Sequence, residues 1–127
     1  MRERSIERHL VEEVERRGGF APKLVSPGTD GMPDRLVILP GCGVAFVELK
    51  APGEKPRPIQ CRRIRELVGL GCSVYVVDSK ERVVEVLDEI QSTRIPGLCS
   101  LLHHLPSGVR PPPGLRPRED GHNAHRP

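Results

Sequence analysis

Apolar residues recur at four-residue spacing near the start of the chain: Ile6, Leu10 and Val14, with Val11 widening the stripe. That period predicts an amphipathic helix over 2–17, stopped by Gly18-Gly19. The stretch 20–26 reads as a short strand, and Pro22 inside it suits a sheet edge. A loop dense in turn formers, Ser26-Pro27-Gly28-Thr29-Asp30-Gly31-Met32-Pro33, then leads into the aliphatic run Asp34-Arg35-Leu36-Val37-Ile38-Leu39, a buried-type strand. Pro40-Gly41-Cys42-Gly43 makes a tight turn, and 44–50 returns antiparallel to that strand. Pro52, Pro56 and Pro58 remove backbone donors, so 51–58 is a stiff loop. A second helix over 59–70 carries Gln60, Ile64, Leu67 and Val68 on one stripe and ends at Gly71. A β-branched strand follows over 72–77, and then a third helix over 80–91, capped by Asp78 or Ser79. That helix covers the sheet with Val83, Val84, Val86, Leu87 and Ile90. The order is αβββαβ(α), an α/β protein whose last two strands are joined by a right-handed parallel crossover.

The pattern breaks at two places. Side chains alternate along a strand, so Phe46, Glu48 and Lys50 share one side of 44–50, and Ala45, Val47 and Leu49 the other. Two opposite charges on so apolar a strand are unusual, because charges are rarely buried unless paired or bound to a metal. A plain Glu48–Lys50 salt bridge is the simplest reading of the strand alone. On the first helix, Glu7 lies at helical spacing with Leu10, Val11 and Val14. It therefore projects from the edge of the apolar face, where an arginine could cap it.

The 127 residues suffice for one modest core. With no Trp, one Tyr and two Phe, that core is aliphatic, and the aromatic platforms that stack single-stranded bases are missing. Neither a membrane-length apolar run nor a signal peptide is seen, so a soluble, cytoplasmic protein is expected, with no membrane partner. Cys42, Cys61, Cys72 and Cys99 fall in no Cys-x-x-Cys pair and read as reduced thiols. The net charge of +3 is mild, but from Lys50 to Arg65 six Lys/Arg face only Glu54. The folded domain is expected over 1–95. Beyond it, 96–127 holds seven prolines, four glycines and four histidines with few core formers, and reads as a disordered tail.

Several polar groups converge on the charged strand: Asp34 at the start of the preceding strand, Glu48 and Lys50, and Gln60 in the first turn of the second helix, with Glu7 at the edge of the first. Hard oxygen donors such as Asp34, Glu48 and the Leu49 backbone carbonyl suit Mg²⁺ or Mn²⁺. Lys50 would lie by the attacking water and the scissile phosphate of a phosphodiester.

Gly31-Met32-Pro33-Asp34, then Phe46-Val47-Glu48-Leu49-Lys50, then Gln60 with Leu67, Gly71 and 74–77, resembles the VRR-NUC domain. This is the virus-type replication-repair branch of the PD-(D/E)xK nuclease superfamily. The resemblance covers 3–90 and implies a restriction-endonuclease-like core with a mixed sheet flanked by helices. It implies catalytic roles for Glu7, Asp34, Glu48, Lys50 and Gln60. Asp34, Glu48, the Leu49 carbonyl and Glu7 would be disposed toward Mg²⁺ or Mn²⁺. It further implies a divalent-metal endonuclease acting on DNA, with small phage and bacterial members working as homodimers on branched substrates such as four-way junctions. Lys55, Arg57, Arg62 and Arg63 would then contact phosphates without reading sequence. A flap or nicking nuclease without junction preference, and a catalytically silent DNA-binding module on the same fold, remain open at this point.

Overall fold

The structure is a computed structural model and describes residues 2–92. The expected tail over 96–127, with Cys99 and the pair His103-His104, lies outside the described residues. The elements are α1 (Glu3–Arg16), β1 (Arg35–Leu39), β2 (Gly43–Leu49), α2 (Pro58–Gly69), β3 (Val74–Val77) and α3 (Lys80–Ser92). Each agrees with its sequence expectation to within two residues at either end. The sheet order is β1-β2-β3, with β1 antiparallel and β3 parallel to the central β2. The mixed sheet with flanking helices is a restriction-endonuclease-like α/β arrangement.

The register sorts the side chains. Arg35 pairs with Val47, Val37 with Ala45 and Leu39 with Gly43, so these residues share one face of the sheet. On that face Val37, Leu39, Ala45, Val47 and Leu49 are buried against Ile6, Leu10 and Val14 of α1 and Val83, Val86, Leu87 and Ile90 of α3. The aliphatic core is therefore a two-layer sandwich, with α1 and α3 side by side on one sheet face. Gly43 shows how close the layers come. A Cβ there would stand 2.5 Å from the Ile90 carbonyl oxygen, so the start of β2 admits only glycine beneath the last turn of α3.

The opposite face carries Leu36, Ile38, Phe46, Glu48, Val74 and Val76, with α2 above it. Here the expectation was of a helix packed through Gln60, Ile64, Leu67 and Val68. The structure buries only Gln60, while Val68 and Leu70 are 53% and 81% exposed. Val84 of α3, also expected to cover the sheet, is 40% exposed because at 100° per residue it falls outside the arc of the buried Val83, Val86, Leu87 and Ile90. The expected strand over 20–26 is reduced to two isolated bridges, Phe20 with Ile38 and Lys23 with Arg35. Pro22 has no N–H and contributes only its carbonyl, which accepts from Leu36 N–H at 3.1 Å. The segment nonetheless borders β1 along its length. Phe20 and Ile38 exchange two bonds of 2.8 Å, and Leu24 N–H donates to the Asp34 carbonyl at 2.8 Å.

Candidate metal and phosphate site

Asp34 immediately precedes β1. Since Arg35 pairs with Val47, one step along the register sets Asp34 opposite Glu48 on the α2 face. The Asp34 carboxylate is fixed there by the backbone N–H of Leu49, which donates to Oδ2 at 2.8 Å. In a strand the carbonyl of a residue points the same way as its N–H, so the Leu49 carbonyl also faces Asp34. Lys50 N–H instead goes to Val77 on the β3 side, at 3.0 Å.

Glu48 is 1% exposed. Its Oε1 accepts from Gln60 Nε2 at 2.9 Å and lies 3.3 Å from Lys50 Nζ. The Gln60 amide is oriented by α2 itself: its Oε1 accepts from Arg57 N–H at 2.8 Å, leaving Nε2 to donate to Glu48. Helix start and charged strand are thus joined by one side chain. The other Glu48 oxygen, Oε2, is buried and accepts no hydrogen bond. Burial first, then the negative charge of Asp34 alongside, pushes the Glu48 carboxyl up to about 7, against the opposing pull of Lys50. Two ionised carboxylates cannot donate to each other. Either a proton shared with Asp34 or a cation would satisfy Oε2.

Asp34, Glu48, the Leu49 backbone, Lys50 and Gln60 come together as expected from the sequence. Glu7 does not join them. Its Oε1 accepts from Arg35 Nε at 3.1 Å and from Nη2 at 2.8 Å, while Arg35 Nη1 donates to the Ala21 carbonyl at 2.7 Å. Arg35 projects to the α1 face, the opposite side from Glu48. Among the described residues no three Asp, Glu, His or Cys side chains converge on one point, and Glu7, expected at the metal, stands apart from Asp34 and Glu48 and pairs with Arg35. Arg35 itself was missed. Its signal was a charge directly after Asp34, on the core-facing side of an aliphatic strand.

Gly31, a turn former and the first residue of the Gly31-Met32-Pro33-Asp34 motif, also docks the loop before Asp34. At φ +78 it lies against α2, where a Cβ would be 2.7 Å from the Ile59 carbonyl oxygen. Arg63 Nε donates to the Asp30 carbonyl of the same loop at 3.2 Å. Of the four expected phosphate contacts, Arg62 and Arg63 both pair with Glu66, at 3.6 and 2.7 Å. Lys55 and Arg57 are exposed, with no ion pair among the described residues. Cys42, Cys61 and Cys72 are free thiols, as expected.

The fold and the paired carboxylates with a neighbouring lysine define a restriction-endonuclease-like nuclease scaffold. No family model matches the chain. A protein of Acyrthosiphon pisum secondary endosymbiont phage 1, described as "Putative nuclease p44", is 57% identical over 81 residues, covering 64% of this chain and 87% of the relative. A solved structure described as a VRR_NUC domain superimposes with a TM-score of 0.64 at 36% identity, covering 68% of this chain and 94% of that one. The chain belongs to the VRR-NUC family. Among the described residues no helix is long and apolar enough to cross a membrane.

Proposed function

We propose that the chain is a divalent-metal-dependent endonuclease that hydrolyses phosphodiester bonds in DNA, with branched DNA such as four-way junctions as its substrate. The observation that carries this reading is the buried, unpartnered Oε2 of Glu48 opposite Asp34. Burying a carboxylate oxygen without a partner costs a few kcal/mol, of order 1–3 for a lost hydrogen bond alone, so the arrangement fits a cation better than an empty fold. Asp34, Glu48 and the Leu49 carbonyl are hard oxygen donors, a set that fits Mg²⁺ or Mn²⁺ when waters complete the shell. When bound, such a cation supplies Lewis acidity to a phosphate oxygen and to the water that attacks phosphorus.

The remaining work falls to the chain. Leu49 N–H holds the Asp34 carboxylate in one orientation, and Gln60 holds Glu48 in another, so both oxygens are set before substrate arrives. Lys50, tethered to Glu48 and only 12% exposed on its side chain, orients the attacking water and offsets charge growing on the phosphate. Water adds to phosphorus as the bond to the leaving sugar oxygen breaks, and that oxygen takes up a proton. Lys55 and Arg57 border this site beside the Gln60 turn, as unpaired cations suited to phosphate.

A homodimer belongs to the proposal. Two symmetric cuts across a junction need two sites, and the exposed Val68 and Leu70 on the loosely covered side offer apolar surface to a second copy. The test is cleavage of a synthetic four-way junction, a flap and a plain duplex at equal salt, with and without Mg²⁺, and with oligomeric state measured by light scattering. Asp34→Ala and Lys50→Ala are expected to lose Mg²⁺-dependent cleavage by 10²-fold or more, of the order seen when one preorganised electrostatic group is removed, while keeping the fold. Full activity in either variant would sink the assignment. Equal cutting of all three substrates would replace junction selectivity by a simple nicking or flap activity.

A further inference from the structure

We propose that Arg35, held by Glu7, is a positioning residue for Asp34, and that Glu7 acts on the site through Arg35 and not as a ligand. The inference rests on the metal reading above.

The guanidinium of Arg35 makes three hydrogen bonds to two separate parts of the chain. Nε and Nη2 grip one oxygen of Glu7 on α1, at 3.1 and 2.8 Å, and Nη1 reaches the Ala21 carbonyl at 2.7 Å. Both side chains are largely shielded, 18% and 22% exposed, so the pair is held in one geometry by its surroundings. Arg35 is the first residue of β1, peptide-bonded to Asp34. The segment it captures at Ala21 returns to the same place, because Leu24 N–H donates to the Asp34 carbonyl at 2.8 Å. A continuous path therefore runs from Glu7 through Arg35 to Ala21, and along the edge segment to the Asp34 backbone. On the other side, Leu49 N–H holds the Asp34 carboxylate. Without the guanidinium, the edge segment keeps only main-chain bridges broken at Pro22. The backbone that aims Asp34 is then free to shift. Displacing a ligand's outer supports typically weakens metal affinity about 10–100-fold.

The two roles for Glu7 make opposite predictions in a double-mutant cycle. Mn²⁺ affinity is measured by titration calorimetry on the full chain, well below the melting temperature of every variant. Arg35→Gln is expected to weaken Mn²⁺ binding about tenfold or more. Glu7→Gln weakens it by a similar or smaller factor in the natural background and adds nothing in the Arg35→Gln background. Arg35→Lys, which keeps the charge without the two-pronged grip, gives an intermediate loss and serves if Arg35→Gln fails to fold. Arg17→Gln is the control. It breaks contacts to Asp88 (2.8 Å) and Gln91 (2.6 Å) at the far end of the helices, so it lowers the melting temperature with Mn²⁺ affinity unchanged. The proposal is overturned if Glu7→Gln costs the same factor in both backgrounds, which would make Glu7 a ligand in its own right. It is also overturned if Arg35→Gln and Arg35→Lys bind Mn²⁺ as the natural chain does. A natural chain that binds no Mn²⁺ removes the metal reading itself, a result visible in the first titration and separate from either outcome of the cycle.

Discussion

Glu48 holds an oxygen that the fold buries and leaves without a donor, and its carboxyl is pushed up to about 7 by burial and by Asp34. The consequence for stability has a definite sign. An ordinary glutamate ionises near 4.5, so between 4.5 and about 7 the folded protein keeps a proton that the unfolded chain has released. Stability therefore falls as pH rises across that window, by about 3 kcal/mol in full. Glu48→Gln is neutral at every pH and can still accept from Gln60. It is expected to melt with the natural chain at pH 5 and about 5 °C or more above it at pH 8, by differential scanning fluorimetry. Mn²⁺ at pH 8 raises the melting temperature of the natural chain and leaves Glu48→Gln unmoved, and that variant does not cut DNA. A natural chain whose melting temperature is flat from pH 5 to pH 8 contradicts the assignment. At this scale the sequence was readable where strand alternation decides which side a residue takes. Glu48, Lys50 and Asp34 follow from counting by twos. Glu7 was harder, because helical spacing placed it at the edge of the apolar stripe without saying which face of the sheet that edge meets. Only the register, which turns Arg35 toward α1, decides that Glu7 and Glu48 lie on opposite sides.

Two elements, α2 and the loop before Asp34, carry the site toward the strand, and they meet at the first turn of α2. Gln60 ties the first turn of α2 to Glu48, and Gly31 seats the loop before Asp34 on that same turn. Gly31→Ala meets two obstacles at once, a left-handed φ of +78 and a carbonyl oxygen 2.7 Å from the new methyl. The loop must lift from Ile59, so the expected result is a loss of about 1–3 kcal/mol in urea unfolding, with a weaker response of the melting temperature to Mn²⁺. Gly28→Ala, in the same loop at φ +79 but with nothing within 4 Å, bears the backbone strain alone and isolates the contact with Ile59. Helix and strand periods made the element order legible, including the antiparallel turn at 40–42 and the parallel crossover to β3. They could not show how closely α2 would approach the sheet. Its stripe of Gln60, Ile64, Leu67 and Val68 has a core-facing period, but Gln60 sinks to Glu48 while Val68 stays half exposed. The edge segment departs from its expected strand for a related reason. β-Propensity favoured a strand over 20–26, and a single missing N–H at Pro22 broke the ladder into bridges.

Across the whole molecule, the three helices share one polarity relative to the sheet. Glu7 in the second turn of α1 reaches Arg35 at the start of β1, Gln60 in the first turn of α2 reaches Glu48, and α3 begins just after Val77, which pairs with Leu49. All three N-termini, the positive ends of the helix dipoles, therefore lie at the end of the sheet that holds the carboxylates. That end suits polyanions. The basic side chains divide in the same sense. At the far end, Arg16 is paired with Glu13, and Arg17 with Asp88, whereas Lys55 and Arg57 beside the site have no acidic partner among the described residues. A cation already neutralised by its own chain releases few counterions from DNA, and an unpaired one releases about one per phosphate. The proposed nuclease should thus bind branched DNA with an affinity that falls steeply with salt. Lys55→Gln and Arg57→Gln should each lower the slope of log K against log salt by about 1, with nearly equal losses for every DNA sequence tested. Arg16→Gln and Arg62→Gln, which remove cations already paired with Glu13 and Glu66, should leave the slope within error. Fluorescence anisotropy on a labelled junction in Ca²⁺, across 50–200 mM salt, measures these slopes without cleavage. If Arg62→Gln lowers the slope as much as Arg57→Gln, then DNA displaces Glu66 from its arginines, and the binding surface runs along α2 beyond its first turn.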